Sequence, residues 1–559
     1  MPSSIELLPA AVCGLSPLAR AALAGDFAPA GLPLPRAAAA LEPPSNLARR
    51  FDRDERERLA LALERNLTGL EPHVAVIEAV RSLARPEATL VVTACAPGLY
   101  ASPLDGLWRA LCALRLAALL ARRWGAPVTA LLWNRADRPG LSDLNPMRVL
   151  NPNLDVQRVG LAGLSGERTV PGRLVLEDGR HHLPAVRALL AQMHGDHPHV
   201  ERALELLAPR AGETVARAFT RTMLELFGAR GLIVAEPDWL RAQLSRALTT
   251  LVGRDPLALL RRGAAALSAR GFEPGEDPGT AALVLRLDGD AARALRAGGE
   301  GFRYDGEPGS RTAAELAAEI AQEPAAWAAG ELLEPLALDR ALPVAARCGA
   351  LAELALHAVL APARDAGLAP ATPFVPRPAI TLIDPAAQRS LAALGLGPAE
   401  VLGRAGAPPA APIGGGAEPL APSEPEEPAE QPQLVRDLRE RARRTADELL
   451  AHRAELAAIE RGLAGRLARV ARDLCSGVER LCERAERALA NRSGTRGRHV
   501  RRLENALRPL GRGQEEVFGP LPFLARCGTG WLDALGDELD PFAAEHLTVR
   551  LCAGEEGQN

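Results

Sequence analysis

Hydrophobic spacing divides the chain into segments of different character. Over Asp52–Asn66 leucines hold one face while arginines and glutamates take the other, which predicts an amphipathic helix. Ala88–Thr93 is a short, β-branched run bounded by Pro86 and Pro97, the pattern of a buried strand. A Pro/Gly-rich turn leads to a second amphipathic stretch near Asp105–Arg123, and Pro127–Trp133 is again short and apolar. Together they predict a β-α-β unit with a right-handed crossover, from a sheet that binds ligands beyond the carboxyl ends of its strands. Gly231–Ala235 and Ala281–Leu287 are further strand candidates between helices. Ala371–Ile383 is another, interrupted by Pro376 and Pro378.

The pattern then sets boundaries. Residues 1–250 read as the first part of an α/β core, opening with an extended, Pro-punctuated lead-in over 1–50. Less regular residues, 251–325, are a connecting insert, and 326–403 complete the core. Residues 404–431 carry Gly414-Gly415-Gly416 and then proline with five glutamates between Glu418 and Glu430, a composition that cannot bury a core and predicts a linker. Beyond it Leu463, Leu467, Val470, Leu474, Leu481 and Ala488 follow the four-three spacing of a coiled-coil seam. With a turn at Asn491–Gly497 and a returning helix from Val500, Leu503 and Leu507, residues 432–510 read as a helical hairpin. Residues 511–559 return to the core. The seam exposes more apolar surface than one returning helix covers, which predicts a homodimer.

Composition narrows the chemistry. The 559 residues carry a net charge of −3 and no lysine, so every basic side chain counted is arginine. That excludes a phosphate loop with its lysine, a Schiff-base lysine and an adenylated lysine nucleophile. It also disfavours a class I synthetase-like nucleotidyl transferase with its lysine loop. Arginines alternate with glutamates along the hairpin, which favours a solvated, ion-paired face over a nucleic-acid surface. The eight cysteines include no Cys-x-x-Cys pair and are too sparse for a disulfide scaffold. The apolar stretch Leu111–Leu132 is broken by Arg115, Arg122 and Arg123, so no membrane span is expected. A cytoplasmic location is the expectation.

Four blocks carry a family resemblance. Thr93-Ala-Cys95-Ala96-Pro-Gly98-Leu99 through Pro103-Leu104 and Arg109 is similar to a Thr-Gly-Gln-Gln-x-Gly-Leu-x-x-Gly-Pro-Leu-Tyr segment ending in lysine. Cys95 and Ala96 replace the glutamines, and Arg109 stands at the lysine. Pro127-Val128 through Asn134-Arg135-Ala136-Asp137 falls where Pro-Val-Phe-Trp and then Glu-Asp-His-Asp are expected, and only the last acid survives. Pro335, Asp339, Leu342, Pro343, Gly349 and Glu353 fit a stretch running from Arg-Pro through Gln-Asp-x-x-Leu-Pro to Gly-Pro-x-Glu-x-x-Tyr. Pro376-Arg377-Pro378 and Thr381 follow, against Pro-Arg-x-Ser-x-Thr. Finally Leu507-Arg-Pro509 and Gln514-Glu515 are similar to Leu-Phe-Pro and Gln-Glu-Arg. In this order the blocks resemble the cysteine-adding enzymes of bacillithiol biosynthesis, the BshC family.

The resemblance implies a Rossmann-like fold with inserts, a coiled coil used in dimerisation, and amide formation between cysteine and glucosaminyl-malate. Such a reaction must activate a carboxylate or take a proton from an amine. Asp137, at a strand end, and Arg377, displayed between two prolines, are the catalytic candidates: one to orient or deprotonate the amine, the other to hold a carboxylate. A helix cap for Asp137 and a surface ion pair for Arg377 are the plain alternatives. Thr93, Gly98, Arg109, Asp339, Glu353 and Thr381 are the substrate- or nucleotide-binding candidates, although helical charges more often face solvent. Cys95 reads as an inert buried thiol. His194-Gly-Asp196-His197-Pro-His199 reads as a polar loop, so no metal is expected, while a nucleotide stays open as cofactor. Against the ligase stands a non-catalytic paralogue that keeps the dimeric scaffold and has lost the chemistry.

Overall fold

A computed structural model describes residues 2–9, 15–25, 34–44, 51–140, 147–151, 155–160, 166–176, 183–195, 197–298, 301–304, 309–403, 433–459, 461–490, 494–543 and 545–551. The expected linker therefore lies outside the described residues. By contacts the chain forms two compact units, Met1–Ala386 with Asn505–Asn559, and Ala387–Glu504.

The first unit is built on a five-stranded parallel sheet: β1 (Thr89–Cys95), β2 (Val128–Asn134), β3 (Ile233–Ala235), β4 (Val344–Gly349) and β5 (Phe374–Pro376). Their order is β5-β4-β1-β2-β3. β1 is buried along its whole length, as a strand covered on both faces must be. Helix α1 (Asp105–Trp124) makes the β1–β2 crossover and ends on Gly125, whose φ of 62° suits a residue without Cβ. β1, β2 and β3 lie where the apolar runs predict them. β4 was not anticipated, and it pairs directly with β1.

Residues 251–325 do not extend this sheet. Val284–Asp288, Ala291–Gly298 and Gly301–Tyr304 form an antiparallel meander, with Trp327–Ala329 on its outer edge. Three helices frame its neighbourhood: α2 (Arg241–Gly253), α3 (Glu334–Ala341) and α4 (Leu354–Asp365). The Ala371–Ile383 stretch splits between two sheets, because Ile380–Ile383 pairs in parallel with His546–Leu551 rather than continuing β5. Part of the expected lead-in is a strand too: Pro2–Leu8 runs antiparallel to His546–Leu551.

In the second unit the helix Arg461–Ala490 packs along Gln433–Ala451. Arg439 pairs with Glu479 at 2.8 Å, while the Cys475 and Cys482 thiols approach the Ala442 and Val435 carbonyls. As one number rises the other falls, so the two helices are antiparallel. This corrects the expected hairpin, whose second arm was placed after Asn491: the arm that packs on the long helix precedes it. Ala471 and Cys482 face that arm, whereas Val470 and Leu481 of the predicted seam are exposed.

Candidate functional site

The chain passes from β1 to β2 and β3 on one side, then returns to β4 on the other. The crevice between β1 and β4 is therefore the topological switch point, where open α/β sheets place their ligands. Carboxyl ends of β1, β4 and β5 deliver side chains to it. Asp105 and Arg109, one turn apart on α1, form an ion pair at 2.5 Å. Arg109 also reaches Glu353, just beyond β4. At Gly349, the last residue of β4, a Cβ would come within 2.6 Å of the Glu353 carboxylate and 3.0 Å of the Phe374 ring. Arg377, following β5, pairs with Asp105 and holds Glu515 through both terminal nitrogens, at 2.7 and 3.0 Å. Glu515 also accepts from the Ile380 backbone N–H at 3.0 Å.

Two cations thus share three carboxylates in a buried cage. Burial alone would raise Asp105, but the Arg109 and Arg377 guanidiniums hold it at about 2. Burial raises Glu515 above the ordinary carboxylate value despite Arg377. Cys95, at the end of β1, is pushed up to about 12 by burial, against Arg109, so its thiol stays protonated and unreactive at neutral pH. Arg109 Nη1 and Arg377 Nε are buried without a hydrogen-bond partner, donors left for a ligand or water.

Beside the cage, at the ends of β2 and β3, lies a cavity of about 410 Å³. Trp133, Arg135 and Asp137 follow from β2, Arg241 and Ser245 from α2, and Glu334 from α3. The insert's meander supplies Arg293, Arg296 and Tyr304 from the other side. Asp137 pairs with Arg241 at 2.7 Å. Burial raises its carboxyl above the usual range, with Arg241 opposing. Glu334 pairs with Arg135 at 2.5 Å and accepts from the Trp133 indole at 3.0 Å. Arg135 joins the two regions: it lines the cavity while its charge is stabilised by Glu334 and Glu353. Behind the wall, Asn134 donates to Thr220 at 2.8 Å and Thr220 to Glu236 at 2.7 Å, turning Asn134 away from the cavity.

Arg109, Glu353 and Arg377 thus come together in the cage, and Asp137 sits in the cavity. Thr93 is buried on β1 with its hydroxyl unpartnered, and Gly98 precedes the short turn Leu99–Ala101. Two candidates stand elsewhere. Asp339 is fully buried between Arg347 at 2.8 Å and Arg364 at 3.1 Å. Thr381 shares a 2.9 Å hydrogen bond with His546. Sequence reasoning gave no role to Asp105, Arg135, Arg241, Glu334 or Glu515. Only Glu515 left a trace, as part of the Gln514-Glu515 match. Of the histidine run, Asp196 and the His194 side chain lie outside the described residues, and no metal-holding group of His, Cys, Asp or Glu occurs among the described residues.

Two family models match the chain: the bacillithiol biosynthesis BshC N-terminal Rossmann-like domain over residues 40–378, and the BshC C-terminal coiled-coil domain over 428–551. Among curated proteins, one from Koribacter versatilis is 28% identical over 511 residues, covering 89% of this chain and 90% of its own. One from Geobacillus kaustophilus is 26% identical over 493 residues, covering 86% and 88%. One from Solibacter usitatus is 24% identical over 481 residues, covering 84% and 86%. Each bears the name "Putative cysteine ligase BshC".

Proposed function

This chain belongs to the bacillithiol-biosynthesis BshC family, and on that premise we propose that it is a cysteine ligase joining L-cysteine to glucosaminyl-malate through an amide bond. The observation that carries the reading is the cavity above the strand ends. It pairs a carboxyl of raised affinity for protons, Asp137, with several guanidiniums.

Amide formation needs an uncharged amine, a carboxyl carbon made electrophilic by a nucleoside triphosphate that carries off the departing carboxyl oxygen as phosphate or nucleotide, and stabilisation of the oxyanion that develops on it. Asp137 is the group to accept the amine's proton. Arg241, in the same lining, pairs with it at 2.7 Å and opposes the upward pull of burial, favouring the ionised form that can act as base. Arg135 is held by Glu334 and the cage, so it presents donors from a fixed position and suits the carboxyl oxygens. Arg293 and Arg296 add positive charge for an acidic substrate such as a malate conjugate. In this arrangement Arg377 holds Glu515 and fixes Asp105, and through Asp105 the Arg109–Glu353 pair, while its unpartnered Nε stays a donor for a ligand or water.

The non-catalytic scaffold draws support from the same cage, since the charges of Arg109 and Arg377 are already matched by carboxylates. The two readings part in one experiment. Purified protein is incubated with glucosaminyl-malate, cysteine and a nucleotide mixture, and thiol product is followed by mass spectrometry. Product that disappears in Asp137→Asn supports the ligase. No product, and no thermal shift with either substrate or any nucleotide, supports the scaffold. A cytoplasmic homodimer belongs to the proposal. Among the described residues no helix is long and apolar enough to cross a membrane, and Val470 and Leu481 leave an apolar stripe on the long helix.

A further inference from the structure

The carboxylate assigned as proton acceptor shares its close counter-ion with a second acid. Among the described residues Asp137 forms an ion pair with Arg241 alone, through Nη2 at 2.7 Å. That same nitrogen also pairs with Asp238. The second pair is local: Pro237–Leu240 is a short helical turn running directly into α2, so Asp238 and Arg241 stand three residues apart on one face. Asp238 has a side chain 53% exposed and lies outside the cavity lining, whereas Asp137 is buried and lines the cavity together with Arg241. Arg241 also donates through Nη1 to the Trp327 carbonyl at 3.1 Å, so losing one carboxylate leaves the guanidinium in place for the other.

The cage shows what ample positive charge does to a carboxyl. Asp105 meets two guanidiniums and is held at about 2, too weak a base to take a proton from an amine. Asp137 meets one, and shares it. Burial raises Asp137, Arg241 opposes, and the Asp238 charge raises it further, because a like charge disfavours ionisation. The other charges nearby are differently engaged. Arg173 reaches Asp238 at 3.7 Å and attracts Asp137 more weakly than Arg241 does. Glu236, after β3, is occupied by Thr220 at 2.7 Å and Arg217 at 3.4 Å, and feels Asp137 as a like charge. On the loop of Asp137 itself, Arg135 and Arg138 are matched by Glu334 and Glu331. Glu167 and Arg168 bring opposite charges to the lining, with Arg293 and Arg296 on the meander. Among these described residues Asp238 is the acid that both repels Asp137 and holds its counter-ion.

We infer that Asp238 is a positioning residue for the proton acceptor: by drawing on Arg241 from outside the cavity, it leaves Asp137 able to take up a proton without itself touching substrate. The consequence for turnover rests on the ligase reading; the effect on Asp137 does not.

The test follows the Asp137 carboxyl directly. Infrared spectra of the full chain, carrying isotope-labelled aspartate, are recorded against pH. Subtracting the spectrum of the same protein with Asp137→Asn added leaves the band of that one carboxyl. In Asp238→Asn the band should titrate at lower pH, by roughly half a unit or more, a modest shift because solvent screens a half-exposed charge. The substituted side chain is half exposed, so the fold should be retained, and circular dichroism checks this. Asp238→Glu keeps the charge and should titrate close to the native protein. Salt at about 1 M should narrow the gap between native protein and Asp238→Asn. In turnover, the acid limb of the kcat/KM profile should move down with the band in Asp238→Asn. The inference is overturned by a band that stays in place, by one that moves up, as it would if Asp238 only anchored Arg241, or by an equal downward shift in Asp238→Glu. A band that moves down in a protein that forms no product upholds the inference and overturns the ligase reading instead.

Discussion

Arg377→Met tests whether the switch-point cage is the structural support for the site. The guanidinium serves two carboxylates, but unequally. Without it Asp105 keeps Arg109 at 2.5 Å, whereas Glu515 keeps only the Ile380 N–H at 3.0 Å. The cost therefore falls on Glu515, a buried carboxylate stripped of its counter-charge. Breaking a buried pair in this way costs about 3–5 kcal/mol. Glu515 can limit the loss by taking up a proton, and burial has already raised its pKa. A carboxyl whose folded pKa lies above its unfolded one binds protons preferentially in the folded state. Its contribution is most favourable at low pH and is lost as pH rises through the folded value. The deficit of the variant should therefore be largest near about pH 8 and shrink towards about pH 5. Urea unfolding followed by fluorescence, to which the buried Trp108 and Trp133 report on this unit, measures it at each pH. Adding Glu515→Gln should recover much of the loss at the higher pH, because the stranded charge is gone. A deficit below about 1 kcal/mol, or one that Glu515→Gln leaves untouched, would refute the cage as a supporting element.

Other expectations follow from the same geometry. If Asp137 accepts the amine's proton, Asp137→Asn should cut turnover about 10²–10⁴-fold with little change in stability. Because burial raises that carboxyl, wild-type turnover should fall on the acid side at a pH above the ordinary carboxylate range; a profile flat through that region argues for another base. Asp339→Asn should destabilise by about 3–5 kcal/mol, since Arg347 and Arg364 would be left buried and charged, and denaturant unfolding reads this. Gly330→Ala would put a Cβ 1.9 Å from the Ala282 carbonyl oxygen, where the insert's meander borders the cavity. It should cost about 1–3 kcal/mol and raise the KM for glucosaminyl-malate. Val470→Glu with Leu481→Glu should yield a folded monomer by light scattering, and an unchanged mass would place the dimer contact elsewhere.

Local pattern was enough for the first β-α-β unit. Thr89–Cys95 and Val128–Asn134 bury nearly every side chain, so they have to be short apolar runs, and α1 has to carry an apolar stripe. The absence of lysine excluded whole classes of chemistry without reference to a fold. The family blocks placed Arg109, Glu353, Arg377 and Glu515 in order along the chain, and folding joins those four. What sequence could not reveal was who meets whom. β4, Val-Ala-Ala-Arg-Cys-Gly, looks unlike a central strand because it carries Arg347, and that charge is tolerated only because Asp339 and the Pro335 carbonyl receive it. The same holds for Asp105, Arg135 and Glu334, which resemble ordinary surface charges of helices and turns until partners hundreds of residues away bury them. The long helix likewise gave its apolar spacing to the sequence but not its partner, since a seam records that something packs there and not which arm does. Periodicity reports burial, a property of each position alone; pairing depends on distances between remote positions, and those exist only once the chain has folded.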